Sequence, residues 1–446
     1  VAMSATQVLE RIDDVDPVEV RPWHPLARIV FRFCFSYFTL FCLVFAQILF
    51  VFTGYAARWL PDDAIVWQMR ATAPLTEWVG EHIFGVEAVL HMSGSGDQTV
   101  FWVLVATVLA VAVLVTAVWS IADRRRPAYP TLAAWFVTGM RLCLGGQMLL
   151  YGSVKAVPNQ MPYPELTTLL EPYGNLSLMG VLWNQVGVSP AYQVLLGTAE
   201  VLGGLLLFLP RTATAGALLS LVSMAQVFVL NMTYDVPVKI LSFHLVLLSL
   251  IVLAPQAKRL LNFLVLQRVT EPAVQPKLFG SARANRIAAV VQVALGLWVC
   301  AGAGYGAWVN WREYGYGAPK PELYGIWDVT EFAVEGTPVP PLTTDEYRWQ
   351  RLIIDTQLTS YQRMDDTMVP TVTDIDAEAR TITVNSAADG VTRVAVFTYD
   401  RPDPDRLVLR GEIEGRPVAL TLEEFDLDSL PLRGDRFHWV QNAPEN

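Results

Sequence analysis

Seven stretches of this chain run almost without charge for long enough to cross a lipid bilayer. They fall at 29–53, 99–121, 132–155, 191–209, 212–232, 238–255 and 287–309, and a spanning helix needs about 20 apolar residues. After residue 320 the period changes. Short runs such as "ARTITVNS", "VTRVAVFTY", "DRLVLRGEI" and "RPVALTLEEF" alternate apolar with polar positions and are divided by "AADG", "RPDPD" and "EIEGR". That alternation predicts about seven or eight strands closed into a small barrel or sandwich. Between the two patterns, the Gly and Pro residues of "YGYGAPKPE" break the last helix.

The expected fold is therefore a membrane all-α bundle of about seven transmembrane helices followed by a small all-β domain. Its divisions are an N-terminal segment at 1–28, the helical domain at 29–310, a hinge at 311–322 and the β domain at 323–446. Residues 1–28 begin acidic and lead into an apolar run too long for a cleaved signal, so the first span is expected to be retained.

Composition supports the bilayer reading, with 53% of the 446 residues hydrophobic and only 17% charged. Charge divides the chain again. Residues 320–446 carry 12 Lys and Arg against 24 Asp and Glu, which leaves the first 319 residues at +2 of the net −10. No basic stripe interleaved with aromatics exists in either half, which excludes nucleic acid as a partner. Lys and Arg gather before the first span, at Arg124, Arg125 and Arg126, at Arg211, and between Lys258 and Arg286. By the positive-inside rule these loops and the N-terminus are cytoplasmic, and the β domain is extracytoplasmic. Cys34, Cys42, Cys143 and Cys300 all lie in apolar runs without CxxC spacing, and they read as small buried hydrophobes.

Ionisable residues inside spans mark the candidate chemistry, because a charge at mid-bilayer costs about 3 kcal/mol on insertion scales. Arg141 and Glu200 each lie about ten residues into their spans, and they are expected to form an ion pair, either structural or functional. Gly145 and Gly146 on one helix, with Gly203 and Gly204 on the other, would let the backbones approach. Lys155 ends the third span at the outer interface, one turn above Tyr151. A second outer cluster lies in "NMTYDVPVKILSFH", where Asp235 can cap a helix and pair with Lys239 four residues on, with Tyr234 beside them. His244 is a further ligand candidate, although it lies about 140° round the helix from Lys239. In "HMSGSGDQT", Ser93, Ser95 and the backbone amides can cradle an anion, or Asp97 can simply cap the next helix. Snorkelling to headgroups is the alternative role for both lysines. No metal site is expected; His82 and His91 are the nearest approach to one.

The long motifs "SIADRRRPAYPTLAAW", "LLYGSVKAVPNQMPYPELTTLLEPYGNLSLMGVLW", "TAEVLGGLLLFLPRT" and "NMTYDVPVKILSFHL" resemble the DoxX-like family of bacterial polytopic membrane proteins over most of residues 90–266. The closing "RGDRFHWV" resembles the extension of its larger members. That resemblance implies a bacterial inner or plasma membrane. It also implies one of two roles, since the family includes a subunit associated with a thiosulfate:quinone oxidoreductase and is similar to eukaryotic cargo receptors and chaperones. "LLYGSVKAV" is also similar to the membrane domain of vitamin K-dependent γ-carboxylases, where a lysine acts as base towards a hydroquinone; the matching residue here is Lys155. Both resemblances imply a quinone-type ligand or cofactor, and the residue carried over is Lys155 alone, as proton acceptor; the residues read above as outer-face candidates, Ser93, Ser95, Asp97, Tyr151, Tyr234, Asp235, Lys239 and His244, would line the pocket. A redox partner would then supply electrons. The other reading is non-enzymatic: a transporter, lipid-binding scaffold or assembly factor whose β domain docks an extracytoplasmic protein. "LYGIWDV" is similar to the Gly-x-Trp opening of lipocalin-like barrels.

Overall fold

The computed structural model describes residues 22–270, 272, 276–356, 358–387, 393–434 and 439–443. Most of the expected N-terminal segment, part of the "AADG" turn and the middle of "RGDRFHWV" lie outside them. Two units result. One holds the described part of Val1–Ala156 with Leu195–Gly306; the other holds Val157–Val194 with the described part of Ala307–Asn446. The connector 157–194 thus groups with the β strands and not with the helical domain in which the 29–310 boundary would place it.

The helices wholly or mostly in the first unit are α1 (Pro25–Val44), α2 (Trp67–Val79), α3 (Thr99–Ala122), α4 (Pro130–Ala156) and, after the connector's α5 (Leu166–Leu170) and α6 (Leu178–Gly187), α7 (Pro190–Phe208), α8 (Ala213–Thr233), α9 (Lys239–Leu253), α10 (Ala257–Leu264) and α11 (Ala282–Glu313). Among the described residues six helical segments are long and apolar enough to cross a membrane: α1, α3, α7, α8, α9 continued through α10, and α11. The remaining expected span, α4, is a 27-residue helix of lower apolarity. Its surroundings explain this: from Met140 to Leu149 every residue except Leu142 is buried, so α4 faces protein on nearly all sides and need not match lipid.

The first expected span, 29–53, is also shorter than its apolar run. Helix α1 stops at Val44, Gln47 takes a positive φ of 61°, and the chain continues as 3-10 turns through Phe50–Trp59. Hydropathy cannot see this break, because the residues on either side are equally apolar. The core is strongly aromatic. Phe41 stacks on Phe45 with centroids 4.7 Å apart, and Phe31, Phe35, Trp119, Tyr129 and Phe136 form a second ring cluster.

In the second unit, nine strands follow one another as an antiparallel meander: β1 (Gly325–Val334), β2 (Thr337–Pro338), β3 (Trp349–Ile354), β4 (Thr359–Arg363), β5 (Met368–Asp376), β6 (Thr381–Ser386), β7 (Arg393–Asp403), β8 (Arg406–Ile413) and β9 (Arg416–Glu424). Pairing of β1 with β9 closes eight of them into a barrel, and β2 only extends the edge of β1. A bulge between Val329 and Glu331 adds one residue to β1. Val329 and Phe332, three apart, therefore both reach the core. Trp327 is fully buried, donates Nε1–H to the Leu323 carbonyl at 2.9 Å, and carries the Arg401 guanidinium 5.4 Å above its ring. The apolar face of α5 covers the barrel's outside, with Leu166 against Ile326 and Ile353. Asp355 holds that helix by accepting from the Leu166 N–H at 2.7 Å.

Candidate functional site

Helices α4 and α7 meet at two glycine pairs. A Cβ on Gly197 would lie 2.7 Å from the Gly152 carbonyl oxygen, and one on Gly204 would lie 3.0 Å from that of Gly145. Each pair is spaced seven residues along its own helix, so the two helices run antiparallel in a fixed register with their backbones in contact. Gly204 and Gly145 were expected in this role; Gly146 instead faces Val51, and Gly203 faces Ser220.

Three residues beyond Gly152 is Lys155, and three beyond Gly197 is Glu200. The Lys155 Nζ donates to both Glu200 carboxylate oxygens, at 2.9 and 2.8 Å, with the two residues 6% and 3% exposed. This corrects the expected Arg141–Glu200 pair. In the observed register Glu200 lies level with Leu149, about 12 Å along the axis from Arg141. Helical side chains also lean towards their own N-terminus. Lys155 and Glu200 therefore lean towards each other, while Arg141 leans away. Its guanidinium bonds to Gln292 of α11 instead, and its Nε has no partner.

Beside the pair runs a short polar ladder. The Tyr151 ring centroid is 5.8 Å from the Lys155 Nζ, and the Tyr151 hydroxyl accepts from Gln47 Nε2 at 2.6 Å. Gln47 Nε2 also reaches Gln147 Oε1 at 3.3 Å, and Gln147 returns a bond to the Gln47 carbonyl. Gln147, Tyr151 and Lys155 are four residues apart on one helical face. Neither glutamine was anticipated. Gln147 was detectable as an uncharged polar residue inside an apolar run, whereas Gln47 depends on the helix break.

The remaining candidates assemble elsewhere. Asp97 caps α9 and not its own helix, accepting from the Lys239 and Ile240 N–H groups at 2.8 and 3.0 Å. Asp235 does not cap α9 as expected; it has a positive φ of 52° and pairs with the Lys239 Nζ at 2.8 Å. That Nζ also lies 3.8 Å from Asp97. Ser93 and Ser95 fold inward upon Gln98, whose Nε2 donates to Ser93 Oγ and the Ser95 carbonyl. Ser95 Oγ in turn accepts from the Asp97 N–H at 3.3 Å, so both hydroxyls order the loop. Tyr234 ends α8, its N–H donating to Leu230.

His244 belongs to neither cluster. It stacks on Phe41 at 3.9 Å, and its Nδ1 lies 2.7 Å from the Ile240 carbonyl, which can only accept. Nδ1 therefore carries the proton, and Nε2 accepts from the Tyr37 hydroxyl at 2.7 Å. Among the described residues no three His, Cys, Asp or Glu side chains gather to hold a metal.

The second unit has its own small cleft, of about 90 Å³, lined by Tyr163, Glu165, Tyr316, Tyr324, Asp355 and Arg433 among others. Burial, and then the neighbouring Asp355 carboxylate, hold the Glu165 carboxyl above its ordinary range.

Over 113 residues, a quarter of this chain and 71% of the other, the sequence is 31% identical to YwoB of Bacillus subtilis (strain 168), a protein described as uncharacterized. This chain belongs to the same family as YwoB. No family model matches the chain, and no solved structure does. Kinship with YwoB names no ligand, so the chemistry of the site rests on its geometry.

Proposed function

We propose that this is a DoxX-like, seven-span protein of a bacterial inner or plasma membrane, and that its helical unit binds a quinone or similarly lipid-like redox ligand beside Lys155 and Glu200. In this reading α4 is the seventh span, the N-terminus is cytoplasmic and the barrel is extracytoplasmic. Arg28 and Arg32 at the start of α1, Arg124–Arg126 after α3, and the Lys and Arg residues between Lys258 and Arg286 support that orientation.

One observation carries the proposal: an ion pair almost fully removed from water, with a hydrogen-bonded tyrosine and two glutamines alongside. A buried pair is often no more stabilising than packed apolar residues of the same volume, so stability alone is a poor reason to keep one among apolar helices. The proposed roles differ from those expected of Lys155 alone. In this reading Lys155, which donates to both carboxylate oxygens, is the cation of the pair and not the base. Glu200 is then the acceptor for a ligand hydroxyl, and Lys155 stabilises the oxyanion left behind. Tyr151 and Gln147 orient the ring.

A second reading, a non-enzymatic lipid-binding scaffold or transporter, is favoured by the closure of the pair, in which every carboxylate oxygen is already occupied. Mass spectrometry of small molecules carried through mild detergent purification separates the two. Quinone retained by the wild type and lost from Glu200→Gln, with melting behaviour preserved, supports the redox-ligand reading. Wild-type protein free of quinone, or a variant that keeps it equally, sinks that reading.

A further inference from the structure

A cavity of about 700 Å³ opens among α4, the α7–α8 turn and the start of α11, all within the helical unit. Its walls are apolar, formed by Leu209, Val290, Val293 and Leu297 among others. Three arginines line it as well, Arg141, Arg211 and Arg286, and among the described residues no carboxylate does. Arg211 and Arg286 are exposed. Arg141 is only 6% exposed, yet its buried Nε lacks any hydrogen-bond partner. A buried guanidinium with an unspent donor, facing a cavity with no counter-charge, is costly unless something completes it.

The arginines are arranged in tiers. Along α11, Gln292, which holds the Arg141 guanidinium, lies six residues or about 9 Å deeper than Arg286. Asn285 fixes the mouth by accepting from the Leu278 and Phe279 N–H groups at 2.9 and 3.1 Å and donating to the Phe279 and Ser281 carbonyls. Cations at the rim, a polar donor set beneath them and hydrocarbon walls match the sequence of groups in a phospholipid: phosphate, ester carbonyls, acyl chain. We infer that this cavity binds a phospholipid of net negative charge, its phosphate between Arg211 and Arg286, its ester oxygens towards Arg141 and its acyl chain along α11. Zwitterionic lipids fit less well, since nothing on the lining answers a choline or ethanolamine cation. The site is separate from Lys155 and Glu200 and stands whether or not a quinone binds there.

Native mass spectrometry of the delipidated full chain tests this, with phosphatidylglycerol, phosphatidylcholine of the same acyl chains and inorganic phosphate as probes. Phosphatidylglycerol is expected to bind about tenfold tighter than phosphatidylcholine, and Arg211→Gln with Arg286→Gln to bring the two to parity. Arg125→Gln with Lys258→Gln removes the same charge away from the cavity and should leave the preference intact. Equal binding of both lipids by the wild type overturns the inference. So does an equal loss in the control variant, or displacement of phosphatidylglycerol by equimolar phosphate. Because Arg211, Arg286, Arg125 and Lys258 are all exposed, these variants are expected to fold.

Discussion

Gly197 and Gly152 touch through their backbones: a Cβ on Gly197 would stand 2.1 Å from the Ala156 nitrogen and 2.7 Å from the Gly152 carbonyl oxygen. No rotamer change relieves contacts with main chain, so Gly197→Ala must push α7 away from α4. A loss of about 1–3 kcal/mol or more is expected, read as a lower melting temperature in detergent. Gly139, in the same helix α4 but with nothing within 4 Å of its Cβ direction, is the comparison; Gly139→Ala should be neutral or stabilise by up to about 1 kcal/mol. Equal effects at the two positions would show that the crossing is not close.

Lys155→Met leaves the Glu200 carboxylate buried without its partner. The expected cost is about 3–5 kcal/mol, most of it recovered when Glu200→Leu is added, because the buried charge then disappears. A double-mutant cycle on melting free energies checks this. If the second substitution only adds to the damage, Glu200 is held by something other than Lys155.

Asp97 acts across helices, since it satisfies the first two N–H groups of α9 from the loop before α3. Asp97→Ala should cost about 1–2 kcal/mol, and Asp97→Asn clearly less, since an amide oxygen still accepts. Hydrogen exchange at Lys239 and Ile240 is the local readout. Protection there that survives Asp97→Ala would remove the cap.

Glu165 predicts a pH dependence in the barrel unit. Its folded pKa is raised, chiefly by burial and then by Asp355, above the ordinary 4.5. The folded state therefore binds more protons than the unfolded one in that window, and stability falls as pH rises from about 4.5 through the raised value. Asp355, Lys320 and Arg433 line the same cleft and must be kept constant. Glu165→Gln should flatten that part of the melting curve against pH; an unchanged slope would assign it to other groups.

Much of this architecture was legible in the chain. Apolar run length located the lipid-compatible helices, and period-two alternation located the barrel, because both report burial directly. The failures have a common cause: they depend on geometry between elements. Arg141 and Glu200 lie at equal depths in their expected spans, yet antiparallel register and the tilt of each side chain give Glu200 to Lys155. Asp97 looked like the cap of the helix it precedes but serves a different one. Gln47 was hidden inside an apolar run that a positive φ interrupts. The segment "ELTTLL" received no element of its own, and its few leucines acquire meaning only against Ile326 and Ile353.

The seam between β1 and β9 joins Trp327 to Glu424 and Val334 to Val418. The first strand to be synthesised must therefore wait for the last, and until β9 arrives the nascent sheet has two raw edges available to neighbouring chains. A premature stop between Arg363 and Arg416 should yield a sticky, protease-sensitive sheet in place of a shortened barrel.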